Sequence, residues 1–362
     1  MSSSRRTVLI VDDSALMRTV LRDEIGSLPD FDVIGTASDG RQALDAVRTL
    51  APDIVTLDVE MPNMDGIETL ERLMRESPRP VVMLSGAETD GGVELTLRAL
   101  ELGAVDIVRK PGATGARSAA EMGPRLAAAL RAAAATNIRA VARPSVRLVQ
   151  ARTEPRVVDV ASARAVIAIA ASTGGPRALA EVVASLPDDL DAAVLIAQHM
   201  PRGFTGGLAR RLAQLTSLGV AEGRDGERIV AGRVYLAPGG RHMHVTTGAL
   251  GATIALDDGP TVWGVRPAAD KLFVSVARAF GDASVGVVLT GMGRDGALGL
   301  SAIREAGGGA IVQDEATSAV YGMPREALET AGADRIVAPG DVGAAAAQLL
   351  AQLLARHKAT VR

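Results

Sequence analysis

The sequence contains no cysteine. That excludes disulfides, thiolate metal sites and a cysteine nucleophile, and it fits a reducing compartment. Aromatic residues make up 2% of the 362, with one Trp, two Tyr and four Phe, so any core must be built from Ala, Val, Leu, Ile and the 11 Met. No apolar run approaches the ~18 residues of a membrane-spanning helix, so no membrane insertion is expected. Charge of one sign is lacking as well. The formal net charge is -3, which gives no reason to expect nucleic acid as a partner. No signal-peptide pattern opens the chain, since MSSSRRTVLI runs straight into an apolar strand. The expected location is the cytoplasm and the expected state a monomer.

What is present is strand and helix alternation over a length that suggests two domains at ~150 residues each. Across 1–135, short apolar runs at 8–11, 32–37, 54–57, 81–84 and 104–108 alternate with amphipathic stretches. This predicts a five-stranded parallel sheet of flavodoxin-like type with helices on both faces. Segment 122–135 predicts a last helix with Pro124 near its start. Residues 136–163 carry two prolines, no sustained period and five Arg against Glu154 and Asp159, and read as a solvated linker. In 164–362 the alternation resumes, with strands at 166–171, 193–197, 285–290 and 310–313. Segments 234–245 and 252–258 read as an antiparallel hairpin inserted into a doubly wound α/β domain.

Polar residues stand where four of the first five strands end: Asp12 and Asp13 after the first, Asp58 after the third, Ser85 after the fourth and Lys110 after the fifth. Three carboxylates meeting at one point repel one another unless a cation sits among them, and hard oxygen ligands suit Mg²⁺. A lysine and a hydroxyl opposite would complete a cradle for a phosphoryl group. The motifs VDDS (11–14), LDVEMPNMDG (57–66), Ser85 and RKP (109–111) resemble the receiver domain of two-component response regulators. The resemblance implies that Asp58 accepts phosphate from a histidine kinase. It also implies that Asp12, Asp13, Asp58 and the Glu60 carbonyl hold Mg²⁺, while Ser85 and Lys110 bind the phosphoryl oxygens. Ser14 reads as a helix cap. Ile107 stands where receivers commonly carry an aromatic residue that swings with phosphorylation, so no rotating ring is expected here.

In the second domain, VIAIAASTGGP (166–176) reads as a strand buried on both faces that stops at Ser172 and hands over through glycines to a helix. Ligands bind along that rim in open α/β sheets. His199 follows the strand ending at Gln198, and Asp295 follows VGVVLT through the turn GMGRDG. A serine, a histidine and an aspartate on one rim can form a hydrogen-bonded triad in which His199 would take the Ser172 proton and Asp295 would fix the imidazole tautomer; taken singly, they also read as a turn serine, a core histidine and a helix cap. Backbone amides of the glycine turn, Met292 foremost, are candidates for an oxyanion hole. The order Ser, His, Asp without G-x-S-x-G argues against an α/β-hydrolase. His242 and His244, two apart on a strand, share a face and invite a zinc reading, but no third ligand is apparent and a cleft-lining hairpin is preferred.

The segments IAASTGGP, QHMP (198–201), YLAPGGRHM (235–243) and LTGMGRDG (289–296) resemble the catalytic domain of the chemotaxis receptor protein-glutamate methylesterases, the CheB family. The resemblance implies phosphorylation-regulated hydrolysis of glutamyl methyl esters on methyl-accepting chemoreceptors, and in many members deamidation of receptor glutamines. It places Ser172, His199 and Asp295 on catalytic positions and Met292 on the oxyanion position, with no cofactor for the esterase step. Ala170 stands where the family usually has glycine. The alternative is a response regulator with one of two other α/β outputs, a non-catalytic domain or a nucleotide-binding one. The second would use ASTGGP as a phosphate turn but lacks G-x-G-x-x-G and an acidic end to its second strand.

Overall fold

Val8, Leu9, Ile10 and Val11 are all fully buried, as a strand covered on both faces must be. They belong to β1 (Arg6–Val11), which lies between β2 (Phe31–Ala37) and β3 (Ile54–Asp58), followed by β4 (Val81–Ser85) and β5 (Asp106–Arg109). The five strands form one sheet in the order β2-β1-β3-β4-β5, every pair parallel. The computed structural model describes residues 5–86, 90–111, 116–142, 162–249 and 251–360. It divides into two compact units, Met1–Ser145 and Val146–Arg362.

Helices between the strands start where short polar side chains cap them. Ser14 accepts from the Met17 N–H at 3.3 Å and Asp65 from the Glu68 N–H at 2.8 Å. The last long helix spans Ala116–Ala134 rather than beginning at 122, so Pro124 lies inside it, not near its start. Alanine-rich sequence tolerates that single missing N–H because Leu126, Ala129, Leu130 and Ala133 are buried against the sheet. A short helix, Ile138–Val141, buries Ala140 and Val141, so packing of the first unit extends past residue 135. Most of the linker, residues 143–161, lies outside the described residues.

The second unit contains β6 (Val166–Ala171), β7 (Ala193–Gln198), β8 (Gly219–Glu222), β9 (Arg233–Leu236), β10 (His242–Gly248), β11 (Gly251–Asp257), β12 (Ser284–Val288), β13 (Gly309–Gln313) and β14 (Arg335–Val337). Seven of these form a parallel sheet in the order β14-β13-β12-β6-β7-β9-β8, and β10 and β11 form an antiparallel hairpin apart from it. The chain winds one way from β6 through β7 and the other through β12, so the carboxyl end of β6 is a topological switch point, where open sheets place their ligands.

The stretch 234–245 is not one strand. It breaks at Pro238-Gly239-Gly240 into β9, which joins the parallel sheet beside β7, and β10, which enters the hairpin. An added methyl at Gly239 would lie 2.4 Å from the Pro201 carbonyl oxygen, so this break packs on the loop that follows β7. Among the described residues no helix is long and apolar enough to cross a membrane.

Candidate active site and phosphoryl-acceptor site

Ser172 continues the hydrogen-bond ladder of β6, donating its N–H to the Thr290 carbonyl at 3.0 Å. The turn that follows is closed by the Gly175 N–H to the Ser172 carbonyl at 2.8 Å. Gly174 has φ +74°, and an added methyl there would lie 2.5 Å from the Ala319 Cβ. At Gly175 the same methyl would lie 2.0 Å from the Gln198 Oε1. The glycines are thus demanded by the chain's own packing and require no phosphate to account for them.

Ala171 and Gln198 are register partners, and the His199 N–H donates to the Ala171 carbonyl at 3.0 Å. Ser172 and His199 are therefore neighbours across one strand spacing, about 4.8 Å. The imidazole, with 10% of its side chain exposed, sets Nε2 at 2.7 Å from Asp295 Oδ2. Asp295 is itself buried, and its carboxylate accepts the N–H of Ala269 on Oδ2 at 2.6 Å and of Asp270 on Oδ1 at 2.9 Å. These donors open the helix Ala269–Phe280, whose own N-cap, Ala268, supplies no side-chain bond. The positive end of that helix stabilises the anion.

The glycine turn lies under Ser172. An added methyl at Gly291 would sit 2.6 Å from the Ser172 Cβ and 2.4 Å from the Met323 Sδ. Met292, next in sequence, is exposed. Gly293 and Gly296 both have φ +92°, the left-handed conformation that lets the loop turn twice within four residues. Ala170 is fully buried, and its Cβ faces Gly296 rather than the turn at Ser172.

Two buried residues that the sequence reading passed over tie these pieces together. Gln198 Nε2 donates to the carbonyls of Ser172 at 2.9 Å and His199 at 3.0 Å. Thr290 Oγ1 donates to the Thr173 carbonyl at 2.9 Å and accepts from the Val320 N–H at 3.0 Å, while its own N–H donates to Gln313 Oε1 at 2.7 Å. Their signal was a polar residue closing a wholly apolar run. A third, Asp270, is buried beside Asp295, and burial together with that neighbouring charge raises its pKa.

The hairpin histidines do not form a metal site. His242 is fully buried, its Nε2 donating to the Pro260 carbonyl at 3.0 Å and its Nδ1 accepting the Ala268 N–H at 3.2 Å. His244 pairs instead with Asp257. Among the described residues one acidic cluster has metal-ligand spacing, and it lies in the first unit: oxygens of Asp12, Asp13 and Asp58 fall within 4.8 Å of one another.

There, Asp12 is fully buried at the end of β1, Asp13 beside it is exposed, and Asp58 ends β3. Lys110 Nζ reaches Asp12 Oδ2 at 2.7 Å and Asp58 Oδ2 at 2.6 Å. Burial pushes the Asp58 carboxyl up to about 6 despite the lysine. The two aspartates hold Lys110 protonated against its own desolvation. The Ser85 hydroxyl is buried at the end of β4 and accepts from Thr96 Oγ1 at 3.4 Å. The exposed Glu60 follows Asp58 by two residues, its N–H donating to Asp58 Oδ1 at 3.4 Å.

Comparison with known proteins agrees with this two-part arrangement. Residues 8–117 match the response regulator receiver domain and residues 167–346 the CheB methylesterase domain. A protein-glutamate methylesterase/protein-glutamine glutaminase of Pyrococcus horikoshii is 44% identical over 330 residues, 91% of this chain and 89% of its own length. The Escherichia coli K12 protein of the same name is 44% identical over 352 residues, 97% of this chain and 98% of its own. The crystal structure of the Thermotoga maritima CheB methylesterase catalytic domain is similar with a TM-score of 0.50 and 35% identity, covering 51% of this chain and 98% of that one. The chain belongs to the family of protein-glutamate methylesterase/protein-glutamine glutaminases, with a receiver domain preceding a CheB methylesterase domain.

Proposed function

We propose that this protein hydrolyses glutamate methyl esters on methyl-accepting chemoreceptors, and deamidates receptor glutamines, with Ser172 as the nucleophile. The observation that carries the reading is the 2.7 Å contact of His199 Nε2 with a buried Asp295, on the strand next to Ser172. Because Nε2–H is engaged by the carboxylate, Nδ1 is the nitrogen left to take the serine proton. Ser172 Oγ attacks the ester carbonyl as that proton moves to Nδ1, and the oxyanion that forms is met by the Met292 N–H. His199 then returns the proton to the departing methoxide, giving methanol, or to the departing amide, giving ammonia. Water activated by the same nitrogen releases free glutamate. Asp295 keeps the tautomer and stabilises the imidazolium throughout.

The receiver unit regulates this chemistry. Asp58 accepts a phosphoryl group from a histidine kinase, and Lys110 and Ser85 bind its oxygens. Asp12, Asp13, Asp58 and the Glu60 carbonyl would hold Mg²⁺, which supplies charge neutralisation for the transfer; the acidic cluster and its all-oxygen donors fit that ion. The protein acts as a cytoplasmic monomer on receptor domains exposed there. Methanol release from methylated receptor tests the reading. Wild type with phosphodonor should be fastest, Asp58→Asn should not respond to the donor, and Ser172→Ala should be inactive. An active Ser172→Ala protein overturns the assignment.

A further inference from the structure

Asp295 and Asp270 cap one another's helices. Asp295, just before the helix Ala297–Glu305, accepts the N–H groups of Ala269 and Asp270 at the start of the helix Ala269–Phe280. Asp270, in the first turn of that second helix, returns the favour: its Oδ1 accepts the N–H of Gly296 at 2.9 Å and of Gly299 at 2.8 Å. Neither helix has a side-chain cap from its own N-cap residue, Gly296 or Ala268. The exchange holds the two helix starts in one geometry, and close approach reinforces it. An added methyl at Gly299 would lie 2.5 Å from the Phe273 Cβ and 3.1 Å from the Asp270 Cα.

The other oxygen of Asp270 has its own partner. Oδ2 accepts the indole N–H of Trp263 at 2.7 Å. Trp263 is the single tryptophan of the sequence, sits at φ +53°, and is 49% exposed. A bulky residue in the left-handed region is strained, and such strain persists only where surrounding contacts hold it. Here they are the Asp270 bond and the Arg294 guanidinium, 5.4 Å from the indole ring centre and next in sequence to Asp295. Trp263 thus grips the 291–296 loop from outside while Asp270 grips it from below.

We propose that Asp270 is a positioning residue for the esterase reaction: through Gly296 and Gly299 it fixes the loop that carries Met292 and Asp295, and Trp263 locks its carboxylate in that pose. The inference rests on the Ser172–His199–Asp295 reading. A displacement of about 1 Å at such a site costs roughly 100-fold in rate. Asn at 270 keeps one acceptor for the two glycine N–H groups but points an amide donor at the indole N–H, so it should prise the loop and the tryptophan apart. Removing that indole donor as well should relieve the clash.

The test measures kcat and KM for methanol release by Asp270→Asn, Trp263→Phe and the double variant. The downfield proton of the His199–Asp295 hydrogen bond is followed by NMR in each. In Asp270→Asn we expect kcat to fall about 100-fold with KM within about twofold, and the downfield proton to shift or vanish. Trp263→Phe should lose only a few-fold, and the double variant should be several-fold faster than Asp270→Asn. A kcat for Asp270→Asn within twofold of wild type overturns the proposal. So does a loss explained by the unfolded fraction in a thermal melt, or a double variant no faster than the single one. Ser172→Ala, run alongside, separates the two readings: it should abolish turnover yet keep the downfield proton, and turnover by Ser172→Ala removes the triad itself.

Discussion

His199 Nε2 lies 2.7 Å from Asp295 Oδ2, and the same carboxylate oxygen takes the Ala269 N–H at 2.6 Å. One atom therefore orients the imidazole and ties down a helix start. Asp295→Asn should keep the acceptor for the Asp270 N–H but set an amide donor against both the imidazole and the Ala269 N–H, lowering kcat by about 10⁴ together with some loss of stability. Asp295→Ala should in addition strand two buried N–H groups at about 1–3 kcal/mol each. Methanol-release kinetics beside urea melts distinguish the two losses; an Asn variant within tenfold of wild type would contradict the tautomer role.

Gly291→Ala should cripple the site without touching a catalytic atom. The new methyl meets the Ser172 Cβ at 2.6 Å and the Met323 Sδ at 2.4 Å, and both must yield. The methionine is flexible, so stability should drop modestly, by about 1–3 kcal/mol, while the serine is displaced and kcat falls by at least about tenfold. Comparable thermal stability with an unchanged rate would show that Ser172 does not rest on this loop during turnover.

His242 gives the esterase domain an acid sensitivity. Burial, acting before the nearby Lys271 and against the pull of Asp257, lowers its pKa below the ordinary 6.5, with His244 adding to the lowering. The folded imidazole stays neutral because Nδ1 accepts the Ala268 N–H. Above pH 6.5 the residue makes no pH-dependent contribution; as pH falls through 6.5 the unfolded chain binds a proton that the folded one refuses, and stability declines. Denaturant melts at pH 7.5 and 5.5 should show a smaller acid loss in His242→Gln than in wild type.

Asp58, pushed up to about 6 by burial, binds a proton more readily folded than unfolded. Its contribution to folding therefore diminishes as pH rises from its unfolded value of 3.8 towards 6, and a divalent cation displaces the proton. Mg²⁺ should raise the melting temperature of the first unit more at pH 7.5 than at pH 5.5. The difference should be absent in Asp58→Asn.

The α/β alternation of both units was legible, as were most strand ends, because an apolar run that stops on a polar residue marks a strand end at the ligand rim; Asp295 came instead from the glycine turn that follows its strand. That rule found Ser172, His199, Asp58 and Ser85. It missed β9 because Pro238, Gly239 and Gly240 sit inside what looked like one strand, and β8 because Gly219–Glu222 is half-buried and has no apolar run to display. Gln198 and Thr290 obeyed the same rule but stood beside louder neighbours. Asp270 was illegible for a different reason. An acid in a first helical turn has an ordinary explanation in the helix dipole, and only the fold shows that its carboxylate serves another helix.

Ser172, His199 and Asp295 follow β6, β7 and β12, and β6 is hydrogen-bonded to both of the others. Those three strands are contiguous in the sheet but widely separated along the polypeptide, so the central ladder closes only after long loops have found their ends. Regained turnover after dilution from denaturant should consequently lag behind regained helicity, making the enzyme its own clock for the slowest, most non-local stage of assembly.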